Sequence, residues 1–213
     1  MEQITQERIQ TFIEAMGGSV PPHILELEKE AMAEGVPIIR PQTRSLIRFL
    51  MALGRPETIL EIGAGTGYSA SVMLEYAPQC RSLTTIELDP DRAAKARQVL
   101  ERADKKAQVI TGDAADVLPT LSGEFDFIFM DAAKGQYINL LPEIFRLLSP
   151  QGILLSDNIF KEGEILNSRF AVKRRDRTIH KRMREYLHAL THDERLATIL
   201  LQDGDGAAVS VRK

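Results

Sequence analysis

The chain has 213 residues, 44% of them hydrophobic and 27% charged, the profile of a soluble globular protein with one sizeable core. No apolar run approaches the roughly 18 residues of a membrane-spanning helix, and a single cysteine, Cys80, excludes an intrachain disulfide framework or a cysteine metal cluster. The opening residues Met1-Glu2-Gln3-Ile4-Thr5-Gln6-Glu7-Arg8 lack the basic start and apolar run of a signal peptide, so a reducing cytoplasm is the expected compartment.

The net charge of −3 is unevenly spread. Between Arg169 and Arg184 stand eight basic residues: Arg169, Lys173, Arg174, Arg175, Arg177, Lys181, Arg182 and Arg184. Only Asp176 opposes them, so the segment carries +7 and leaves −10 for the remainder. A positive block on an acidic protein points to a polyanionic partner; the alternative is a solvated helix face.

Residues 3–16 and 22–34 read as amphipathic helices, the first ended by Gly17-Gly18 and the second begun by Pro21-Pro22. Gly35-Val36-Pro37-Ile38-Ile39-Arg40-Pro41 is a linker that its prolines keep out of a helix. A third helix is expected over about 42–53, with Gly54 as its stop. Together residues 1–54 form a helical cap on the core that follows.

Strand one, 58–62, runs into Gly63-Ala64-Gly65-Thr66-Gly67, and a helix over 68–76 stops before Pro78. Strand two covers 82–87, and Asp89-Pro90 caps a helix over 90–103. Strand three covers 107–111, followed by a helical turn over 114–120; strand four covers 125–130. A helix over about 135–148 stops at Ser149-Pro150-Gln151-Gly152, ahead of strand five at 153–156. Near-continuous apolar strands alternating with helices indicate a parallel sheet covered on both faces. A basic helix over about 164–190 then precedes a hairpin, 198–202 and 207–211, around Asp203-Gly204-Asp205-Gly206. The predicted fold is a single α/β domain, Rossmann-like and doubly wound. Its seven-stranded sheet is mostly parallel with an antiparallel C-terminal hairpin, and residues 55–213 form its core.

Ligands of such sheets collect at the carboxyl ends of the strands. Here those ends carry Gly63-Gly65-Gly67, Glu87, Asp113, Asp131 and Asp157-Asn158. Alternate glycines let a ligand approach the backbone, and Glu87 is placed to accept from both ribose hydroxyls of an adenosine. These features fit NAD or S-adenosylmethionine. Tyr68 stands where the third dinucleotide glycine belongs, and with Glu61 inside the strand and the C-terminal hairpin this favours S-adenosylmethionine. Asp131, Asp157 and Asn158 are hard oxygen donors on adjacent strand ends, suited to Mg²⁺, Mn²⁺ or Ca²⁺. The alternative is that they cap a turn and a helix. Lys134, three residues after Asp131, is a base near the metal or a surface lysine. The four histidines, His23, His180, His188 and His192, fall outside the strand ends.

The motifs Glu61-Ile-Gly-Ala-Gly-Thr-Gly-Tyr-Ser69, Ile86-Glu87, Gly112-Asp113-Ala114, Asp131-Ala-Ala-Lys134-Gly-Gln-Tyr137 and Ser156-Asp157-Asn158 resemble the cation-dependent O-methyltransferases, the group of catechol and caffeoyl-CoA enzymes. The likeness spans essentially the whole chain. The DAAKGQY run, Lys173-Arg174-Arg175-Asp176-Arg177 and Gln202-Asp203-Gly204-Asp205-Gly206 look like the bacterial tRNA 5-hydroxyuridine methyltransferase branch. The resemblance implies that Glu61, Gly63, Ser69, Glu87, Asp113, Ala114 and Asp131 line an S-adenosylmethionine site closed by Ile39. It implies that Asp131, Asp157 and Asn158 hold Mg²⁺ and that Lys134 is the catalytic lysine. It further implies a homodimer acting on the wobble uridine of tRNA, with Lys173, Arg174, Arg175 and Arg177 along the anticodon stem. Small catechol-like phenols are the alternative acceptors, and an NAD-dependent oxidoreductase is a more distant one.

Overall fold

The computed structural model describes residues 6–102, 107–160, 163–168, 170–202 and 205–213. Arg169, Asp203 and Gly204, residues 3–5 of the first expected helix and residue 103 at the end of the alanine-rich one lie outside them. Three helices, α1 (Gln6–Met16), α2 (Pro22–Ala33) and α3 (Pro41–Gly54), lead into β1 (Thr58–Ile62). Then follow α4 (Tyr68–Tyr76), β2 (Ser82–Glu87), α5 (Pro90–Glu101), β3 (Ala107–Thr111), α6 (Ala114–Val117) and β4 (Phe125–Met130). The chain ends with α7 (Tyr137–Leu147), β5 (Leu148–Asp157), α8 (Arg177–His192), β6 (Leu196–Leu201) and β7 (Ala207–Arg212).

The seven strands lie in the order β3-β2-β1-β4-β5-β7-β6. All neighbours from β3 through β5 are parallel, and β7 runs antiparallel to both β5 and β6. This is the Rossmann-like, mostly parallel seven-stranded arrangement with an antiparallel C-terminal hairpin that the sequence predicts. Chain order reverses on either side of β1, so the crevice for a ligand opens between the ends of β1 and β4. Register aligns those ends: Ile62 pairs with Ile86 and Met130, and Met130 pairs with Ser156.

Alternation along the strands feeds two cores. Leu60, Ile62, Ile128, Met130 and Leu154 face α7 and α8, meeting Tyr137, Ile144, Tyr186 and Leu190. Ile59, Phe127, Phe129 and Leu155 face the other layer with Ile47, Met51 and Met73 of α3 and α4. Glu61 shares that second face and is wholly buried.

Three boundaries differ from expectation. Gly54 does not stop α3: it is the last helical residue, and Arg55 takes the left-handed turn at φ 47°. A Cβ on Gly54 would come within 2.8 Å of Ile153 Cδ1, so this glycine serves packing against β5 rather than termination. Ser149–Gly152 fall inside β5: the chain bulges there while β4 advances only from Phe125 to Phe127. The basic segment is not one helix over 164–190. It contains 3-10 turns at Glu164–Leu166 and Arg174–Asp176, and α8 begins at Arg177. Lys173 is extended (φ −54°, ψ 140°), and Arg177 Nε folds back onto the carbonyl of buried Val172, which breaks the helix into turns.

Candidate active site

The glycine turn is shaped by steric necessity. Gly63, Gly65 and Gly67 all have positive φ (101°, 53° and 89°). A Cβ on Gly63 would stand 2.2 Å from the carbonyl oxygen of Asp131, a collision with backbone that nothing relieves. At Gly65 a Cβ would meet nothing within 4 Å, so the backbone there faces open space. Glu87, at the end of β2, braces the turn: Oε2 accepts from the Gly65 N–H at 2.7 Å and Oε1 from the Asp89 N–H at 3.0 Å. Asp113 accepts from the Ala115 N–H at 2.9 Å and so starts α6.

Above these groups lies a cavity of about 590 Å³. Ile39, Gly63, Gly65, Glu87, Asp113, Ala114, Asp131, Lys134 and Asn158 all line it, gathering residues from across the chain. Ile39 comes from the linker before α3, whose Pro37, Ile38 and Arg40 also border the space. Arg92 of α5 and Gln136 border it too; Arg92 lies in no motif, and Gln136 stands in the DAAKGQY run with no role of its own.

Glu61 and Ser69 are not on the cavity wall. They lie beneath the glycine turn, where Glu61 accepts from Ser69 Oγ and Thr85 Oγ1, both at 2.5 Å. Burial pushes the Glu61 carboxyl up to about 7 against the two hydrogen bonds.

At the ends of β4 and β5 the polar groups hold one another. Asp131 Oδ1 accepts from Lys134 Nζ at 2.7 Å and from Asn158 Nδ2 at 3.3 Å. Asn158 takes a left-handed φ of 53°, turning the chain directly after β5. Asp157 is buried beneath the cavity, its Oδ1 accepting from the Asn158 N–H at 2.8 Å and from Thr43 Oγ1 at 3.3 Å. Burial, and then the neighbouring charge of Asp131, raise the Asp157 carboxyl to about 6. Lys134 pairs with the Asp131 carboxylate and reaches only the backbone carbonyl of Asp157, so two acidic groups stand beside one ammonium and the cluster lacks positive charge. Carboxylate and carboxamide oxygens with a charge deficit suit a hard divalent cation, so Asp131, Asp157 and Asn158 fit the metal expected of them. They include only two acidic groups, and among the described residues no set of three or more His, Cys, Asp or Glu is placed to hold a metal.

The basic segment meets this cluster. Arg182 of α8 donates to the carbonyl of Gly135 at 3.1 Å, so the helix grips the 3-10 turn that carries Lys134. Lys173, Arg174 and Arg175 are exposed, and Arg177 is half-buried. Arg175 pairs with Asp176 at 3.4 Å.

A family model described as O-methyltransferase matches residues 21–213. The catechol O-methyltransferase of Niastella koreensis is 31% identical over 169 residues, 76% of either chain. That of Sus scrofa is 37% identical over 118 residues, 51% of this chain and 63% of that protein. The SAH-bound Podospora anserina methyltransferase PaMTH1 superposes with a TM-score of 0.86 at 26% identity, covering 100% of this chain and 98% of that one. With the sheet order, the glycine turn and the acidic strand ends, these matches lead to one assignment: the chain belongs to the O-methyltransferase family of the catechol and caffeoyl-CoA type.

Proposed function

We propose that the protein moves the methyl group of S-adenosylmethionine to the 5-hydroxyl of the wobble uridine in tRNA, giving 5-methoxyuridine. The observation that carries the RNA part is the junction of Arg182 with Gly135, which sets a strongly basic surface against the turn holding Lys134. A small phenol has no use for such a surface, whereas an anticodon stem presents phosphates to it and a loop base that can enter the cavity. Phe170, 90% exposed between Leu166 and the Lys173–Arg175 cations, offers a face on which a neighbouring base stacks.

In this reading Glu87, Asp113 and Ala114 hold the adenosine, with Gly63 and Gly65 under the methionine portion and Ile39 over it. SAH bound to the Podospora relative supports the choice of cofactor. Asp131, Asp157 and Asn158 would hold a divalent cation, Mg²⁺ or else Mn²⁺ or Ca²⁺, which would supply Lewis acidity to the acceptor hydroxyl. As an ammonium Lys134 would offset the charge left on the oxygen; to take up the hydroxyl proton it would first have to give up one of its own. The rest of catalysis would be positioning: the strand ends would orient the acceptor toward the methyl donor, and the linker would exclude water. The protein works in the cytoplasm as a homodimer; the exposed Ile9, Phe12, Ile13 and Met16 of α1 supply an apolar face for a second copy.

A second reading has specific support. The relatives named catechol O-methyltransferase share up to 37% identity, which favours a small catechol-like phenol as acceptor. The oxidoreductase alternative ends with the family assignment. Mass spectrometry of tRNA nucleosides after incubation with labelled S-adenosylmethionine and Mg²⁺, with an EDTA control, separates the two that remain. Labelled 5-methoxyuridine is expected from a hydroxyuridine-bearing tRNA. Its absence, together with methylation of a catechol, gives the second reading.

A further inference from the structure

Tyr137 opens α7 directly behind the site, and neither the motifs nor the proposed chemistry gives its side chain a task. It is wholly buried, its ring edge-on to Tyr186 with centroids 5.3 Å apart. Its hydroxyl meets three groups: Lys134 Nζ at 2.9 Å, the Met130 carbonyl at 3.0 Å and the Asp157 carbonyl at 3.2 Å. A phenol has one proton and an ammonium three, with no acceptor. Lys134 must therefore donate to the phenol, and the phenol proton goes to one of the two carbonyls at the ends of β4 and β5.

The count closes from the lysine side as well. The three ammonium protons meet three acceptors: Asp131 Oδ1 at 2.7 Å, Tyr137 Oη at 2.9 Å and the Asp157 carbonyl at 3.2 Å. Of these only the Asp131 carboxylate is among the atoms proposed to hold a cation. When it turns to that cation, Lys134 loses its one charged partner. The phenol and the backbone carbonyl remain, and the phenol cannot drift, because its own proton is anchored on the strand ends.

We infer that Tyr137 is the positioning residue for Lys134, its buried hydroxyl keeping the ammonium at the junction of β4 and β5 when Asp131 is engaged elsewhere. The assignment of Lys134 to the proton step rests on the proposed function; the hold of Tyr137 on Lys134 does not.

The test reads the ammonium itself. Protein labelled with ¹⁵N-lysine is studied by NMR with SAH and Mg²⁺ present, the Lys134 resonance being identified by its loss in Lys134→Met. Slow proton exchange is expected in the unaltered protein. Tyr137→Phe, checked for an intact fold by its amide spectrum, should speed that exchange at least tenfold. On a hydroxyuridine-bearing anticodon stem-loop or a catechol, its kcat should fall by about tenfold or more while KM for S-adenosylmethionine holds within twofold. In the Lys134→Met background the same change should cost no further kcat. Unchanged exchange in a folded Tyr137→Phe protein, or an equal loss of kcat in both backgrounds, overturns the inference. If Tyr137→Phe does not fold, the unaltered protein decides: an ordered ammonium supports the assignment and a freely averaged one refutes it. If neither acceptor is methylated by the unaltered protein, the proposed acceptors are wrong, and the exchange rates still report on Tyr137.

Discussion

At the β1–β2–β3 half of the carboxyl edge, carboxylates are gripped by backbone: Glu87 by the N–H groups of Gly65 and Asp89, and Asp113 by that of Ala115. At the β4–β5 half the grip comes largely from other side chains, with Lys134 and Asn158 on Asp131 and Thr43 on Asp157. The first half is fixed by the path of the chain and binds a ligand of constant shape. The second is a mutually supported charge cluster, whose side chains can rearrange around the proposed cation and acceptor. One edge of one sheet thus combines a rigid half, the proposed cofactor seat, with an adjustable half, the proposed reaction centre.

The sharpest way to separate the halves is Asp157→Asn. It keeps a side chain able to accept from Thr43 and the Asn158 N–H but removes one of two carboxylates from the cluster. Turnover should fall by about 10³-fold with the lost cation site, while calorimetry should find S-adenosylmethionine binding within about twofold of normal. Stability should not fall, because burial already disfavours this carboxylate. Equal loss of cofactor affinity would falsify the division into two halves.

Glu61 lies under the rigid half and gives it a pH signature. Its folded-state pKa of about 7 lies above the ordinary 4.5, so the folded state keeps the proton longer than the unfolded one. Stability should therefore fall as pH rises from about 4.5 to about 7, by on the order of 3 kcal/mol, and stay level above. Denaturant unfolding at pH 5 and pH 8 measures this, and Glu61→Gln should flatten the difference. A slope that persists in Glu61→Gln belongs to other groups.

Glu87→Gln weakens two charge-assisted hydrogen bonds, one from the glycine turn at Gly65 and one from Asp89, together with the proposed ribose contact. Cofactor affinity should drop by roughly 10- to 100-fold, with the Mg²⁺ requirement of residual activity unchanged. The smallest effect is expected outside both halves. Reversing Arg174 and Arg175 to Glu should leave stability within about 0.5 kcal/mol. It should weaken binding of an anticodon stem-loop, most at low salt, and reduce the slope of log affinity against log salt by about two. Unaltered tRNA methylation by that variant would remove the phosphate-tracking role from these two arginines.

Much of the rigid half was legible in the amino-acid order, because its cause is local. A β-branched run, alternate glycines and an acid 24 residues past Gly63 mark strand, turn and ribose partner within one unit. The strand-end acids were equally visible, since apolar strands alternate with helices in regular order. What stayed hidden depends on distant pairing. Thr43 meets Asp157 across 114 residues, and Arg44 ties Glu28 to Tyr68 at the head of α4 with no spacing to announce it. Gly54 read as a helix stop, because a glycine placed for Ile153 on β5 looks the same in one dimension. The basic run read as one helix, since its composition hides the fold-back of Arg177 onto Val172. Tyr137 passed as one letter of a motif until its hydroxyl could be placed.

The break in the basic segment has a consequence for how such a protein diversifies. Between Asn158 and Arg177 the described residues contribute no strand to the sheet and touch down at Phe160, packed against Gly206 at the hairpin, and at Ile165 and Val172. Everything that holds the proposed cofactor and cation lies on either side of that excursion. Exchanging it between relatives would rewrite which molecule is presented to Lys134 and leave the strand ends untouched. A lineage can change its clientele here by editing one surface passage, with the chemistry inherited intact.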